Sequence, residues 1–218
     1  MTHLHVPDGV LPAWLVAVSL LVGGAAVLLV LRFAPGRDRV RFLARVGVAA
    51  AALTAALSLP LGAAHLSLAP LAGMILGPGG GFLAAFLANG TVAAVGHGGI
   101  TAVGVNGLFL GLQAVLGALL FLPLRRLLGV RWGGSVAAGL TLALASAAAI
   151  LALRALPLEP DHLEHGTWGP WVVGAMALAV TLFEAHLTGS VLRFLSAVRG
   201  DLVQGSGAPP APAVEVPA

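Results

Sequence analysis

Thr2, His3 and the chain's amino terminus place an amine, backbone amides and an imidazole within chelating distance of one another almost irrespective of fold. With the initiator methionine removed, as the small Thr2 favours, His3 is the second residue. The amine, one deprotonated amide and the ring then supply three nitrogens and leave a fourth planar position for another histidine. With Met1 retained, His3 is the third residue, and the amine, two amides and the ring fill the plane unaided. Either arrangement suits Ni(II) or Cu(II), whose tetragonal preference matches four nitrogens, with Co(II) a looser fit. Cysteine is absent, which excludes thiolate metal sites, disulfides and cysteine nucleophiles. His5 follows, and Pro7-Asp8-Gly9 then reads as a turn. Asp8 can orient the backbone there and Gly9 can take an unusual backbone angle, so the tip is expected to fold back on something.

Other residues could complete such a site. His65, in Gly62-Ala63-Ala64-His65-Leu66, is the natural partner for the tip; its plainer reading is a buried histidine satisfied by a loop carbonyl. His97 lies among glycines that permit close backbone approach, and Asn106, a little further on, is a polar group inside an apolar run, where such residues usually face a cavity or a partner. Asn106 could equally hydrogen-bond a loop closed over one face. Asp161-His162-Leu163-Glu164-His165 has ligand-type residues without zincin spacing and reads best as a solvated loop. Glu184 and Thr188, with His186 between them, lie midway along a long apolar stretch; proton coupling or contact with another subunit's helix would account for them.

These residues must be positioned by membrane-spanning elements. The mean hydropathy is +1.02, 59% of the 218 residues are hydrophobic and only 9% are charged, far too apolar for a soluble domain of this length. A hydrocarbon core of about 30 Å needs about 20 helical residues, and seven segments qualify: 11–33, 40–59, 66–76, 80–95, 100–122, 134–153 and 168–195. The run between 60 and 98 is expected to break at Pro70, Pro78 and the glycines 79–81. The expected architecture is an all-α, seven-helix membrane bundle over residues 11–199, preceded by a metal-binding segment 1–10 and followed by a disordered tail, 200–218, rich near its end in Gly, Ala and Pro. No basic region precedes Leu11, so the first run reads as a retained span. Gly73-x-x-x-Gly77 and Gly107-x-x-x-Gly111 offer small faces for close helix packing.

All 11 basic residues are arginines. With the N-terminus outside and seven spans, every arginine except Arg154 falls on the cytoplasmic side, as positive charge does in membrane proteins. The same threading gathers His3, His5, His65, His97, His162 and His165 at the outer face. A net charge of +3 distributed this way is a topology signal and not a nucleic-acid surface. Without lysine, no G-x-x-x-x-G-K-[ST] loop exists, so any ATP hydrolysis belongs to another subunit.

Four stretches taken in order, His5-Val6-Pro7-Asp8-Gly9, Gly62-Ala63-Ala64-His65-Leu66 with Leu76-Gly77-Pro78, the His97 to Asn106 loop, and Glu184-Ala185-His186-Leu187-Thr188-Gly189, resemble the substrate-capture components of energy-coupling factor transporters for cobalt and nickel, the CbiM/NikM family. The resemblance covers residues 3–195. It implies a tucked-in N-terminus that holds the metal through its amine, a backbone amide and two histidines, carried over here to His5 and His65, with Asp8, His97 and Asn106 shaping the pocket. In the family the first histidine directly follows Met1. Here His5 aligns by motif, whereas His3 has the right distance from a processed terminus, and nickel versus cobalt stays open. The resemblance also implies a non-enzymatic subunit of the inner cell membrane that takes a divalent cobalt or nickel ion as substrate. Its partners would be a transmembrane coupling subunit, cytoplasmic ATPases and a small accessory membrane subunit, with Glu184 and Thr188 as possible subunit contacts; cobalt uptake would serve cobalamin biosynthesis. Two other classes remain: a membrane metalloenzyme such as an intramembrane hydrolase, which lacks any G-x-S-x-G or zincin motif, and a structural or assembly protein with incidental histidines.

Overall fold

The computed structural model describes residues 6–34, 38–61, 64–96, 98–155 and 170–204. Five helices, α1 (Ala13–Phe33), α2 (Arg39–Leu57), α3 (Ala69–Ala94), α4 (Val103–Ala155) and α5 (Pro170–Val198), carry the chain, with a two-residue antiparallel ladder, β1 (Pro60–Leu61) and β2 (Ala64–His65), between α2 and α3. Among the described residues all five helices hold stretches long and apolar enough to cross a membrane. The large apolar side chains left uncovered, among them Trp14, Leu21, Leu28 and Phe33 of α1, are what a lipid-facing surface requires.

Two of these helices turn back on themselves. A straight helix of the 53 residues of α4 would be about 80 Å long, more than twice a bilayer's hydrocarbon thickness. Gly129 (φ 76°, ψ 175°) reverses it, and a Cβ on Gly133 would lie 2.7 Å from the Cα of Arg125, eight residues away. Gly77 (φ 79°, ψ 171°) does the same in α3: a Cβ on Gly81 would lie 2.5 Å from the Cα of Gly73. On an unbroken helix residues eight apart are about 12 Å distant. These torsions lie in a region open essentially to glycine alone.

The reversal at Gly77 falls in the gap between the expected segments 66–76 and 80–95, whereas the glycines that follow it do not belong to the break. Glycines 79, 80 and 81 are helical; Gly80 and Gly81 let the arms of α3 touch, against Leu76 and Gly73, while Gly79 faces Val30 of α1. Pro70 sits in the first turn of α3 and Pro78 opens its second arm, where a missing N–H costs nothing. The loop expected between residues 122 and 134 is helix on either side of Gly129, because one glycine suffices to turn the chain.

α3 is the centre of the bundle. Leu83, Ala84, Ala88 and Val92 pack with Val46, Leu53 and Leu57 of α2 and Leu110 and Ala114 of α4. Its first arm, through Leu71 and Met74, packs with Phe121 and Ala137 of α4 and Leu192 of α5. Of the two glycine pairs read from the sequence, Gly107 and Gly111 do receive side chains, the rings of Phe86 and Phe82. Gly73 lies against the Ala114 carbonyl, whereas Gly77 is the turning point.

Residues 200–204, expected as the start of the tail, pack against the bundle. Gly200–Leu202 form a 3-10 turn, Val203 is buried with Met74, Phe121 and Leu192, the Gln204 N–H donates to the Met74 carbonyl at 3.2 Å and Arg125 donates to the Gln204 carbonyl. Residues 205–218 lie outside the described residues.

Candidate functional site

The segment before α1 is docked at two points. The Asn106 side chain, buried one turn into α4, accepts the Val6 N–H at Oδ1 (2.9 Å) and donates from Nδ2 to the Val6 carbonyl (3.1 Å). Both backbone groups of Val6 are thereby satisfied by one amide, the pairing a neighbouring strand would give. Two residues on, the Asp8 carboxylate accepts the Thr101 N–H (2.7 Å) and the Thr101 hydroxyl (2.6 Å). These two bonds hold the Asp8 carboxyl below its ordinary value, the hydroxyl contributing most.

Glycines make this docking possible. Gly9 takes φ 82°, the positive angle expected of the Pro7-Asp8-Gly9 turn. A Cβ on Gly99 would lie 2.7 Å from the Asp8 nitrogen and 2.8 Å from the Pro7 carbonyl carbon, so only glycine admits the segment there. Asn89 of α3, which the sequence reading passed over, donates to the Val103 carbonyl at 3.0 Å and steadies the start of α4. Its signal was the one used for Asn106, a buried amide in an apolar run.

His65 ends the β ladder, paired with Pro60, and its Nδ1 lies 3.3 Å from the Leu59 carbonyl. This hydrogen bond needs the proton on Nδ1 and puts the lone pair on Nε2, the arrangement typical of metal-ligating histidines. Immediately beyond, Leu68 is held at φ 48°, ψ 13°, a left-handed conformation that costs a branched L-residue about 1–2 kcal/mol.

Glu184 and Thr188 lie one turn apart on α5. Both are fully buried in this chain, and the Glu184 carboxyl accepts hydrogen bonds from Ser67 N (3.0 Å), Ser67 Oγ (2.9 Å) and Leu68 N (2.8 Å). A buried carboxyl needs several donors, and the non-helical entry to α3 has them to offer. Gln113 of α4, 3.2 Å from Ser67 Oγ, belongs to the same cluster and was also missed, although a glutamine in an apolar span carries the same signal. His186, by contrast, is exposed on the outer side of α5.

Of the candidate ligands, His65 is described, whereas Thr2, His3, His5 and His97 lie outside the described residues, as does the stretch from Asp161 to His165. Among the described residues no group of three or more histidine, aspartate or glutamate side chains could hold a metal ion. The described residues fix the segment from Val6 onward, directly after the histidine-bearing tip.

A family model described as "Cobalt uptake substrate-specific transmembrane region" (CbiM) matches residues 5–202. A solved structure described as "Crystal Structure of an Truncated Transition metal Transporter" is similar in fold, with a TM-score of 0.61 and 24% identity over 89% of this chain and 99% of that one. No curated protein matches the chain.

Proposed function

The chain belongs to the CbiM family of cobalt uptake substrate-specific transmembrane regions and is a multi-pass membrane component of metal uptake; on that premise we propose that it is the capture subunit of an energy-coupling factor transporter, binding cobalt or nickel at its outer face through N-terminal nitrogens, His3 or His5, and His65. The observation that carries this reading is the hold of Asn106 on both backbone groups of Val6, which ties the histidine-bearing tip to the helical bundle. The match to the family model begins at His5, which favours His5 as the motif histidine, while the amine-and-amide chelate belongs to His3. Asn106 and Arg125 are 19 residues apart on one helical arm, about 29 Å or one bilayer thickness. Arg125 thus marks the opposite end, with Arg45 and Arg199, and by the charge rule that end is cytoplasmic. The reversals at Gly77 and Gly129 divide the five helices into seven helical segments, and seven segments with the N-terminus outside agree with that charge distribution.

In this reading the ion binds at the outer end, the docked tip and the loop around His97 enclose it, and a separate coupling subunit with cytoplasmic ATPases, accompanied by a small membrane subunit, drives its release inside. The chain itself performs no bond chemistry. The test uses the full chain with an untagged N-terminus, its terminal residue determined by intact mass, titrated with nickel and with cobalt before and after blocking the terminus. Tight binding that is lost on blocking and in His65→Ala is the expected result, and the ion held more tightly is the substrate. Binding that survives blocking moves the ligands to the side chains of His5, His65 and His97; no binding of either ion overturns the proposal.

A further inference from the structure

The Glu184 carboxyl gathers three donors that all belong to two consecutive residues, Ser67 and Leu68. α3 begins directly after them, and its first N–H, that of Ala69, donates to the Ser67 hydroxyl oxygen at 3.3 Å, one of the groups a helix start must satisfy from outside its own ladder. Glu184, on α5 and more than a hundred residues along the chain, holds that hydroxyl and the two backbone N–H groups just ahead of the helix. Leu68, held in a left-handed conformation without being glycine, is the kind of backbone that persists only where its surroundings over-determine it. The Leu68 N–H bond to Glu184, at 2.8 Å, and the burial of Ser67 provide that.

His65 stands two residues ahead of this clasp. The one intervening residue, Leu66, is buried with Ala56 of α2 and Val180 of α5. On its other side the His65 ring meets the Leu59 carbonyl. The histidine is therefore held in front by the end of α2 and behind by Glu184. Taking His65 as a metal ligand, as proposed above, we infer that Glu184 is a positioning residue for metal capture, acting through Ser67 and Leu68 to hold the His65 imidazole in its ligating pose. The cluster has the form of a support behind a first ligand, and such supports set metal affinity by fixing the ligand's orientation.

Glu184→Gln keeps the shape of the side chain but replaces one acceptor oxygen with an NH2 group that opposes a backbone N–H. Nickel titrations of the full chain, wild type, Glu184→Gln, His65→Ala and the double variant, separate positioning from simple stabilisation. Expected is a roughly 10- to 100-fold rise in Kd for Glu184→Gln, a visible spectrum of bound nickel shifted toward that of His65→Ala, and no further loss in the double variant. An unchanged Kd with a lowered Tm, or a loss of equal size in the His65→Ala background, overturns the inference alone. His65→Ala binding nickel as wild type does overturns the His65 assignment and this inference with it. Should Glu184→Gln not fold, Ser67→Ala, which removes the hydroxyl with its bonds to Glu184, Gln113 and the Ala69 N–H but keeps both backbone donors to Glu184, is measured in the same cycle; a smaller loss that vanishes in the His65→Ala background supports the inference, and no loss or an additive one overturns it.

Discussion

Asn106 pairs with Val6 as one strand pairs with another, its side-chain amide accepting the valine N–H and donating to the valine carbonyl. A residue inside α4 thus supplies the backbone partners of a segment with no regular structure of its own, and the reading of the tip as a metal-holding device rests on that hold.

Asn106→Ala leaves both Val6 groups without their partner, at about 1–3 kcal/mol for each group that water does not reach. Amide hydrogen exchange at Val6 should accelerate, and nickel affinity should fall by about tenfold or more, since each 1.4 kcal/mol is a factor of about ten. Asn106→Asp keeps the acceptor but turns an oxygen toward the Val6 carbonyl, and should behave nearly as badly. Unchanged exchange in both variants would remove the anchoring role.

Asp8 adds a pH dependence with a definite sign. Its carboxyl is depressed in the folded chain by the Thr101 hydroxyl and then by the Thr101 N–H, so its contribution to docking is fully present above the ordinary aspartate pKa of about 3.9. It is lost as pH falls through the depressed folded value. Exchange at the Thr101 amide should therefore be flat from neutral pH down to about 4 once intrinsic rates are divided out, and rise below. Thr101→Val should shift the Asp8 carboxyl back toward its ordinary value, read by its NMR titration, and Asp8→Asn should abolish the acid-dependent step.

The two reversals predict different costs at different glycines. Nothing lies within 4 Å of a Cβ on Gly129, so Gly129→Ala should lower stability only by the backbone strain, about 1–3 kcal/mol. Gly73→Ala is a case of contact instead: its Cβ would overlap the Ala114 carbonyl in the middle of the core. It should be clearly the worse of the two in thermal unfolding in detergent, and equal Tm losses would contradict the packing described.

Topology can be read chemically because the chain has no cysteine. A single cysteine replacing the exposed Val95 should react in intact cells with a maleimide that cannot cross membranes. One replacing the exposed Asp38 should react only after permeabilisation. The reverse pattern would invert the orientation and place His65 inside.

Much of this molecule was legible in its residues, because a bilayer imposes one-dimensional rules: apolar length sets the helices, arginine marks their ends, and a polar residue in an apolar run needs a partner. Asn106 announced itself on that ground, and Pro7-Asp8-Gly9 did so by turn chemistry. The break between segments 66–76 and 80–95 was legible, but the glycines at 79–81 were read as part of it; Gly77 alone turns the chain, and Gly81 is needed as glycine because Gly73 lies against it.

What the sequence determined by itself is therefore the membrane class, the helix-forming segments and the histidine-bearing tip with a turn behind it. Only the tertiary structure decided which partner each polar group found: Val6 for Asn106, Thr101 for Asp8, and Ser67 and Leu68 for Glu184, which the sequence alone allowed to face another subunit. The reason is physical. Hydropathy and turn preference act on neighbours along the chain, whereas a buried hydrogen bond joins groups about a hundred residues apart and depends on how the helices pack.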